Sequence, residues 1–172
     1  VPSAWIGLAC FSFIAFLSIV NFIFKIKNFY FISKSIAPVG LLFTSLAIIT
    51  GSLWGQPTWG TWWAWDARLT SMIILMFFYI LYILSFKLIT REDLLLKVSS
   101  FLSILGFINL FVIKYSVEWW PTLHQPASLK LGQSASIHPS MMLPLMLMLL
   151  VLLLYGALIF LMKYKTEIIR IK

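Results

Sequence analysis

Charged side chains are scarce in this sequence. Only 10% of its 172 residues are Asp, Glu, Lys or Arg, whereas about a quarter are charged in a typical soluble domain. Hydrophobic residues make up 62%, so a soluble fold of this size would leave much apolar surface in water. A bilayer removes that conflict. The shortage of charge therefore argues against a soluble domain and indicates an integral membrane protein.

Cysteine is almost absent, and so are acidic residues. Cys10 is the only cysteine and lies in an apolar run, which excludes an internal disulfide, a CxxC redox pair and a thiolate metal cluster within this sequence. Five acidic residues stand against thirteen Lys and Arg, giving a formal net charge of +8. These basic residues separate apolar runs instead of lining one polar face, so no nucleic-acid partner is expected.

Five apolar runs follow one another along the chain, at residues 4–24, 36–53, 69–86, 98–113 and 141–162. A helix rises about 1.5 Å per residue, so about 18 residues cross the hydrocarbon core. No alternating ten-residue strands are present, and lipid cannot hydrogen-bond an open backbone, which leaves helices as the spans. We therefore predict an all-α membrane protein, a single polytopic domain over residues 1–172 with a bundle of five transmembrane helices.

Lys and Arg are unevenly divided between the connections of these five spans. Two connections, 54–68 and 114–140, hold only Arg68, Lys114 and Lys130. The remaining connections and the tail hold ten: Lys25, Lys27, Lys34, Lys87, Arg91, Lys97, Lys163, Lys165, Arg170 and Lys172. Because basic residues favour the cytoplasmic side, or the matrix side in mitochondria, the two poorly charged loops are predicted to face outward.

Tryptophan is concentrated in the first outer loop. Gly55, Pro57 and Gly60 are interleaved with the tryptophans and are expected to end the helix. An aromatic belt at the membrane interface usually needs only one or two such rings, so a platform for a large, flat, mostly apolar ligand with polar edges, such as haem, is the favoured interpretation. The five residues concerned are Trp54, Trp59, Trp62, Trp63 and Trp65.

Two charged residues follow the tryptophans directly. Asp66 precedes the third span and is predicted to cap that helix, and it is also a candidate for the ligand site. Arg68 has two open interpretations: its guanidinium suits a haem propionate, or it is an interfacial cation that extends its charged head to water.

The tryptophan segment resembles the signature of the WWD family of haem-handling membrane proteins. Residues 59–70 read WGTWWAWDARLT, and the similarity extends to TGSLWG at 50–55 and YSVEWW at 115–120. Cytochrome c synthases of this family usually place Pro and then an acidic residue after the Asp. This chain has Ala67-Arg68-Leu69-Thr70 instead, and so most resembles the haem-handling protein C branch of system I cytochrome c maturation.

The second outer loop contains the most informative histidine. His124 follows Trp119 and Trp120, and imidazole is a common axial ligand of haem iron. The family places a haem-ligating histidine at the position of His124, so the resemblance implies that His124 binds the iron, with Trp119 and Trp120 contributing to the site. His138, beside Pro139, is interpreted as a polar residue at a helix boundary.

The resemblance also carries an expectation about the whole protein. In the family, the other axial histidine lies just before a Val-Pro sequence that opens the second of six spans. The given chain starts with Val1-Pro2. The expectation is therefore a first span and a first histidine outside the given sequence, either upstream or on a separate chain.

The function implied by the resemblance is haem binding and transfer. The cofactor would be haem b, presented at the outer face and passed to a membrane-tethered haem chaperone for cytochrome c maturation. ATP-binding-cassette transporter subunits, a small single-span accessory protein and membrane lipid are the other implied partners. Two alternatives stay open: a subunit of a membrane transporter, or a cytochrome c synthase-type WWD protein. Neither the implied role nor the residues point to an enzyme.

The compartment follows from the same resemblance. It implies a mitochondrial or a bacterial inner membrane, with the haem loops in the intermembrane space or the periplasm. Frequent Phe, Ile, Lys and Tyr suggest an AT-rich gene, which favours the mitochondrial membrane.

The charge asymmetry yields a test of sidedness. In a Cys10→Ser background, Thr58→Cys is expected to react with a membrane-impermeant maleimide added outside, and Thr166→Cys only after the membrane is opened. Ser128→Cys should behave as Thr58→Cys does. Labelling of Thr58→Cys and Thr166→Cys from the same side would contradict the predicted topology.

Overall fold

The computed structural model describes residues 1–120, 124 and 137–169, and these residues form a bundle of five helices. Each of the five is long and apolar enough to cross a membrane. The prediction of an all-α membrane protein with five spans is therefore confirmed. The helices are α1 Pro2–Phe24, α2 Lys27–Trp59, α3 Ala67–Leu88, α4 Glu92–Trp119 and α5 Pro139–Ile169.

The helices extend beyond the apolar runs that predicted them. Helix α2 has 33 residues and α4 has 28. At about 1.5 Å per residue, α2 is roughly 50 Å long, whereas the hydrocarbon core is roughly 30 Å thick. Hydropathy marks only the part of a helix that lies in hydrocarbon, so it misses end turns in the interfacial region. Helix α4 therefore continues into the segment 114–140 that was predicted as a loop.

The end of α2 corrects a second expectation. Gly55 and Pro57 do not end the helix, because α2 continues through both of them to Trp59. It ends at Gly60, which has a left-handed φ of 75° and donates its N–H to the carbonyl of Gln56 at 3.0 Å. A proline beyond the first turn loses its own donor and crowds the carbonyl four residues earlier, which can kink a helix without ending it, whereas a left-handed residue turns the chain away. The predicted loop 54–68 is thus non-helical only at residues 60–66.

Part of the second predicted loop lies outside the described residues. These undescribed positions are 121–123 and 125–136, together with 170–172 at the end of the chain. Three of the basic residues used to predict sidedness, Lys130, Arg170 and Lys172, are among them.

The helices alternate in direction, so their ends gather in two groups. Helix α1 packs against α2, α4 and α5, while α3 packs against α2 and α4. At one end of the bundle, an ion pair of 2.5 Å joins Lys34 near the start of α2 to Glu167 near the end of α5. At the opposite end, called here the site end, α2 and α4 finish and α3 begins. Both tryptophan-bearing segments therefore lie at the site end.

Small residues allow the helices to approach closely. A Cβ atom on Gly40 of α2 would collide with the ring of Tyr79 of α3, and one on Gly106 of α4 would collide with the ring of Phe11 of α1. Tyr79 and Phe11 are fully buried and meet edge to face, with centroids 4.8 Å apart. Helix association in lipid depends on such close contact, because burying apolar surface there brings no hydrophobic gain.

Hydrogen bonds between helices add to this packing. The hydroxyl of Tyr79 donates to the carbonyl of Gly7 at 2.6 Å, which ties α3 to α1. The amide of Asn109 donates to the carbonyl of Ser71 at 2.9 Å, which ties α4 to α3. Such bonds in membrane proteins contribute about 0.6 kcal/mol each on average. They orient α3, whose first turn forms part of the site end.

The close approach at Gly40 gives a stability prediction. Gly40→Ala should lower the free energy of unfolding by about 1–3 kcal/mol, because the new methyl group overpacks the contact with Tyr79. Gly51→Ala is the matched control on the same helix, since no atom lies within 4 Å of its Cβ position. Alanine there should be neutral or slightly stabilising. Thermal unfolding in detergent measures both, and equal midpoints for the two variants would contradict the packing account.

Candidate functional site

The segment 60–66 folds back along the last turns of α2. The hydroxyl of Ser52 donates to the carbonyl of Trp62 at 2.6 Å. Within the segment, the hydroxyl of Thr61 donates to the carbonyl of Trp63 at 2.9 Å. Two short hydroxyl side chains therefore fix the backbone that carries the tryptophans. Neither residue was predicted to belong to the site, although both lie in stretches that resemble the family, Ser52 in 50–55 and Thr61 in 59–70.

Gly55 makes this return of the chain sterically possible. It is buried, and a Cβ atom there would lie 3.1 Å from the indole of Trp59 and 3.4 Å from the carbonyl oxygen of Thr61. An alanine would thus press on the Trp59 ring, which would have to move by a few tenths of an ångström, and would touch the returning backbone in ordinary van der Waals contact. The glycine that was expected to stop the helix instead provides space beside it.

Asp66 begins helix α3. One carboxylate oxygen, Oδ1, accepts the backbone N–H of Leu69 at 2.7 Å, and the Asp66 backbone is extended. This is the geometry of an N-cap, in which a side-chain oxygen satisfies a donor that has no partner within the helix. The predicted cap is therefore confirmed.

His124 lies against this carboxylate. Its Nδ1 is 2.8 Å from the second oxygen of Asp66, Oδ2, although the two residues are 58 positions apart. The side chains are 22% exposed for His124 and 8% exposed for Asp66. The sequence predicted that both residues share one side of the membrane, but it gave no sign of a direct bond. The structure thus joins the two predicted loops through one hydrogen bond.

The ring of Trp59 completes this contact. Its centroid is 4.8 Å from that of the His124 imidazole, and the two planes meet at 70°. Trp54 packs edge to face on Trp59, with centroids 5.3 Å apart. The end of α2 therefore supplies two indoles packed edge to face, of which Trp59 contacts the histidine and Trp54 is more than half exposed.

The tryptophans of the returning segment form a second group. Trp63 and Trp65 meet edge to face, with centroids 5.9 Å apart. Trp62 is 58% exposed and Trp65 is 82% exposed. The indole nitrogen of Trp63, in contrast, is buried and has no hydrogen-bond partner among the described residues. A buried indole N–H normally finds an acceptor, so this donor is suited to an acceptor on a ligand.

A third aromatic group ends helix α4. Tyr115 and Trp119 are stacked at 5.5 Å with their planes 19° apart, and Trp120 meets Trp119 at 6.0 Å. Both tryptophans are about half exposed. They lie at the site end, but their ring contacts are with each other and with Tyr115. The structure thus places all the predicted aromatic residues at one end in three groups.

Two polar candidates remain, Arg68 and His138. Arg68 is half buried in the first turn of α3 and makes no ion pair within the described part of the chain, which leaves both of its interpretations open. His138 immediately precedes α5 and bonds through Nδ1 to the hydroxyl of Ser140 at 2.8 Å. It is exposed, as expected of a polar residue at a helix boundary.

These features define a polytopic helical membrane protein with an aromatic site at one end, built around a histidine bonded to a carboxylate. The family model described as "Heme exporter protein C" matches residues 1–172. The chain therefore belongs to the heme exporter protein C family.

Individual relatives agree with this membership. The chain is 36% identical over 170 residues to "Heme exporter protein C" of Bradyrhizobium diazoefficiens, covering 99% of this chain and 65% of the relative. It is 41% identical over 147 residues to a putative cytochrome c biosynthesis ccmC-like mitochondrial protein of Marchantia polymorpha, covering 86% and 61%. For "Heme exporter protein C" of Escherichia coli K12 the identity is 37% over 169 residues, covering 98% and 68%. The chain thus spans about two thirds of the length of these relatives.

Proposed function

We propose that this chain binds one haem b at the outer face of an energy-transducing membrane and delivers it for cytochrome c maturation. The observation that carries the proposal is the position of His124, whose imidazole lies 4.8 Å from the ring of Trp59 and within the tryptophan-rich end of the bundle. An imidazole beside large aromatic faces combines an iron ligand with a surface for an apolar macrocycle.

The residues at the site end fit a haem in three respects. The exposed faces of Trp54, Trp62 and Trp65 are apolar and broad. The buried N–H of Trp63 needs an acceptor, and a propionate provides one. Arg68 supplies a cation without an ion-pair partner among the described residues, and guanidinium matches carboxylate geometry. A bound haem would supply an iron that the His124 imidazole can bind and two carboxylates for the Trp63 N–H and Arg68.

The proposed role of this chain is to bind, orient and expose its ligand. His124 would hold the iron, while Trp59 limits movement of the imidazole from one side. Trp119 and Trp120, at the end of α4, would add to the aromatic surface. Because Trp62 and Trp65 are largely exposed, they would remain accessible to a receiving protein. This describes a binding and transfer protein within a single membrane domain, without chemistry on a small substrate.

The partners and the compartment belong to the same proposal. The receiving protein would be a membrane-tethered haem chaperone, assisted by ATP-binding-cassette subunits and a small single-span protein, within membrane lipid. The relatives include bacterial proteins named heme exporter protein C and proteins named as mitochondrial. These names support a bacterial or a mitochondrial location. We propose the inner membrane, and the uneven division of Lys and Arg favours a site end that faces the periplasm or the intermembrane space.

The polar groups inside the bundle favour ligand binding at the site end over transport of a substrate through the bundle. Two buried polar groups of the described spans bond to neighbouring helices, Tyr79 to Gly7 and Asn109 to Ser71. A transport path normally has intramembrane charges or broken helices that face a cavity. The hydroxyl of Tyr82 is also engaged, with Ser18 at 3.0 Å.

The ligand assignment predicts a specific loss of haem. His124→Ala should lower the haem bound per purified protein at least about fivefold, because one axial iron ligand is removed. Added imidazole should partly restore it by occupying the vacated position. A pyridine haemochrome assay gives the haem content. His138→Ala is the matched control, since that histidine is exposed and bonds within its own turn, and its haem content should equal that of the wild type.

The opposite pattern would contradict the assignment of His124. If His138→Ala lost the haem and His124→Ala kept it, the site would have to be moved. If both variants kept the haem content of the wild type, neither histidine would be needed as an iron ligand.

The aromatic platform is tested separately. The triple variant Trp62→Ala, Trp63→Ala and Trp65→Ala should insert normally and lose most of its haem, because the apolar surface and the Trp63 donor are removed together. The matched control removes three aromatic rings of α4, Phe101, Phe107 and Phe111, which are also partly or largely exposed. Haem content is measured as before, and membrane insertion by fractionation. Normal insertion with full haem in the tryptophan variant would favour a simple aromatic belt.

A further inference from the structure

The Asp66 carboxylate makes two bonds at once, one with each oxygen. Oδ1 accepts the N–H of Leu69 at 2.7 Å and so caps helix α3. Oδ2 lies 2.8 Å from Nδ1 of His124. Capping alone requires only one oxygen, and a serine or an asparagine caps a helix about as well. The bond to His124 is therefore a feature that helix formation does not explain.

We infer that Asp66 is the positioning residue of the haem site: it selects the nitrogen of His124 that binds the iron and shifts the bound haem toward the ferric state. This inference rests on the proposed function. It assigns Asp66 a role through His124 and not through contact with the haem itself.

The choice of nitrogen follows from the chemistry of the two groups. A neutral imidazole carries one proton, on either Nδ1 or Nε2, and an ionised carboxylate can only accept a hydrogen bond. A hydrogen bond to Oδ2 therefore requires the proton to be on Nδ1. Nε2 then carries the lone pair, and it is the atom through which His124 binds iron. In an unrestrained histidine both tautomers are present, so the carboxylate prepares the ligand before haem arrives.

The effect on the iron is electrostatic. Metal-binding histidines commonly donate the hydrogen of their second ring nitrogen to a carboxylate. This bond makes the imidazole more basic and so a stronger electron donor to the metal. Ferric iron carries one more positive charge than ferrous iron, so a negative group bonded to the ligand stabilises the ferric form more. The Asp66 side chain is only 8% exposed, and reduced contact with water strengthens this interaction. Asp66 should therefore lower the reduction potential of the bound haem.

The helix cap holds the Asp66 carboxylate in place. Because Oδ1 is bonded to the first turn of α3, the position of Oδ2 is set by the helix and not by a freely rotating side chain. Trp59 restrains the imidazole from another direction, at 4.8 Å. His124 is thus held between the start of α3 and the end of α2.

Two substitutions separate positioning from capping. Asp66→Asn keeps the cap through its one oxygen, but it removes the charge and places an NH2 donor where Oδ2 accepts from His124. Asp66→Ser keeps a cap but is too short to reach His124. If Asp66 is only a cap, both variants should behave like the wild type in every measurement. If it is the positioning residue, thermal stability should stay close to that of the wild type in both variants, while the properties of His124 and of the haem change.

The first measurement needs no haem. Nitrogen chemical shifts of 15N-histidine-labelled protein report the tautomer, and comparison with His138→Ala identifies the His124 signals. Wild-type His124 should carry its proton on Nδ1. In Asp66→Ser the signals should shift toward the mixture of tautomers found in free histidine. In Asp66→Asn the amide NH2 can only donate to Nδ1, so the proton should move to Nε2.

The second measurement is a potentiometric titration of the haem-loaded protein, followed by absorption. The midpoint should move to a more positive potential in Asp66→Asn and in Asp66→Ser. Unchanged tautomer signals in Asp66→Ser, or an unchanged midpoint in both variants, would overturn the inference. If wild-type protein bound no haem, the proposed function would fail by itself, and the tautomer result alone would decide whether Asp66 positions His124.

Discussion

The hydrogen bond between Asp66 and His124 connects the parts of the site end to one another. It joins two segments 58 residues apart through a contact of 2.8 Å, and the same carboxylate begins helix α3. The ring of Trp59, 4.8 Å from the imidazole, adds a second contact to the histidine. The aromatic groups provide apolar surface, whereas the carboxylate fixes the orientation of the imidazole, because a hydrogen bond constrains angle as well as distance.

The bundle supplies the conditions for that bond. Helix α3 carries Asp66, and Tyr79 ties this helix to its neighbours by bonding to Gly7 and packing where Gly40 leaves room. The hydrogen bond from Asn109 to Ser71 ties α4 to the same helix. These contacts hold the helix that carries Asp66, so small and polar residues within the spans bear on the site at the end of the bundle.

Features that depend only on residues close together in the chain were predicted correctly from the sequence. Hydropathy located the five spans, since each run needs no information from its neighbours, and Asp66 was recognised as a cap from its place before an apolar run. The end of α2 was predicted incorrectly because Gly55 and Pro57 usually break helices, whereas here Gly55 makes room for Trp59 and Thr61. The bond from Asp66 to His124 and the hydroxyl contact of Ser52 depend on the folded chain, and no local pattern encodes such distant pairs.

If the site end holds haem through a histidine positioned by Asp66, a cryo-electron microscopy map of the haem-loaded protein will show it. We expect continuous density from the iron to Nε2 of His124, with Nδ1 facing the Asp66 carboxylate and the tryptophans of residues 54–65 beside the macrocycle. Iron density joined to His138, or a haem remote from residues 54–68, would contradict it.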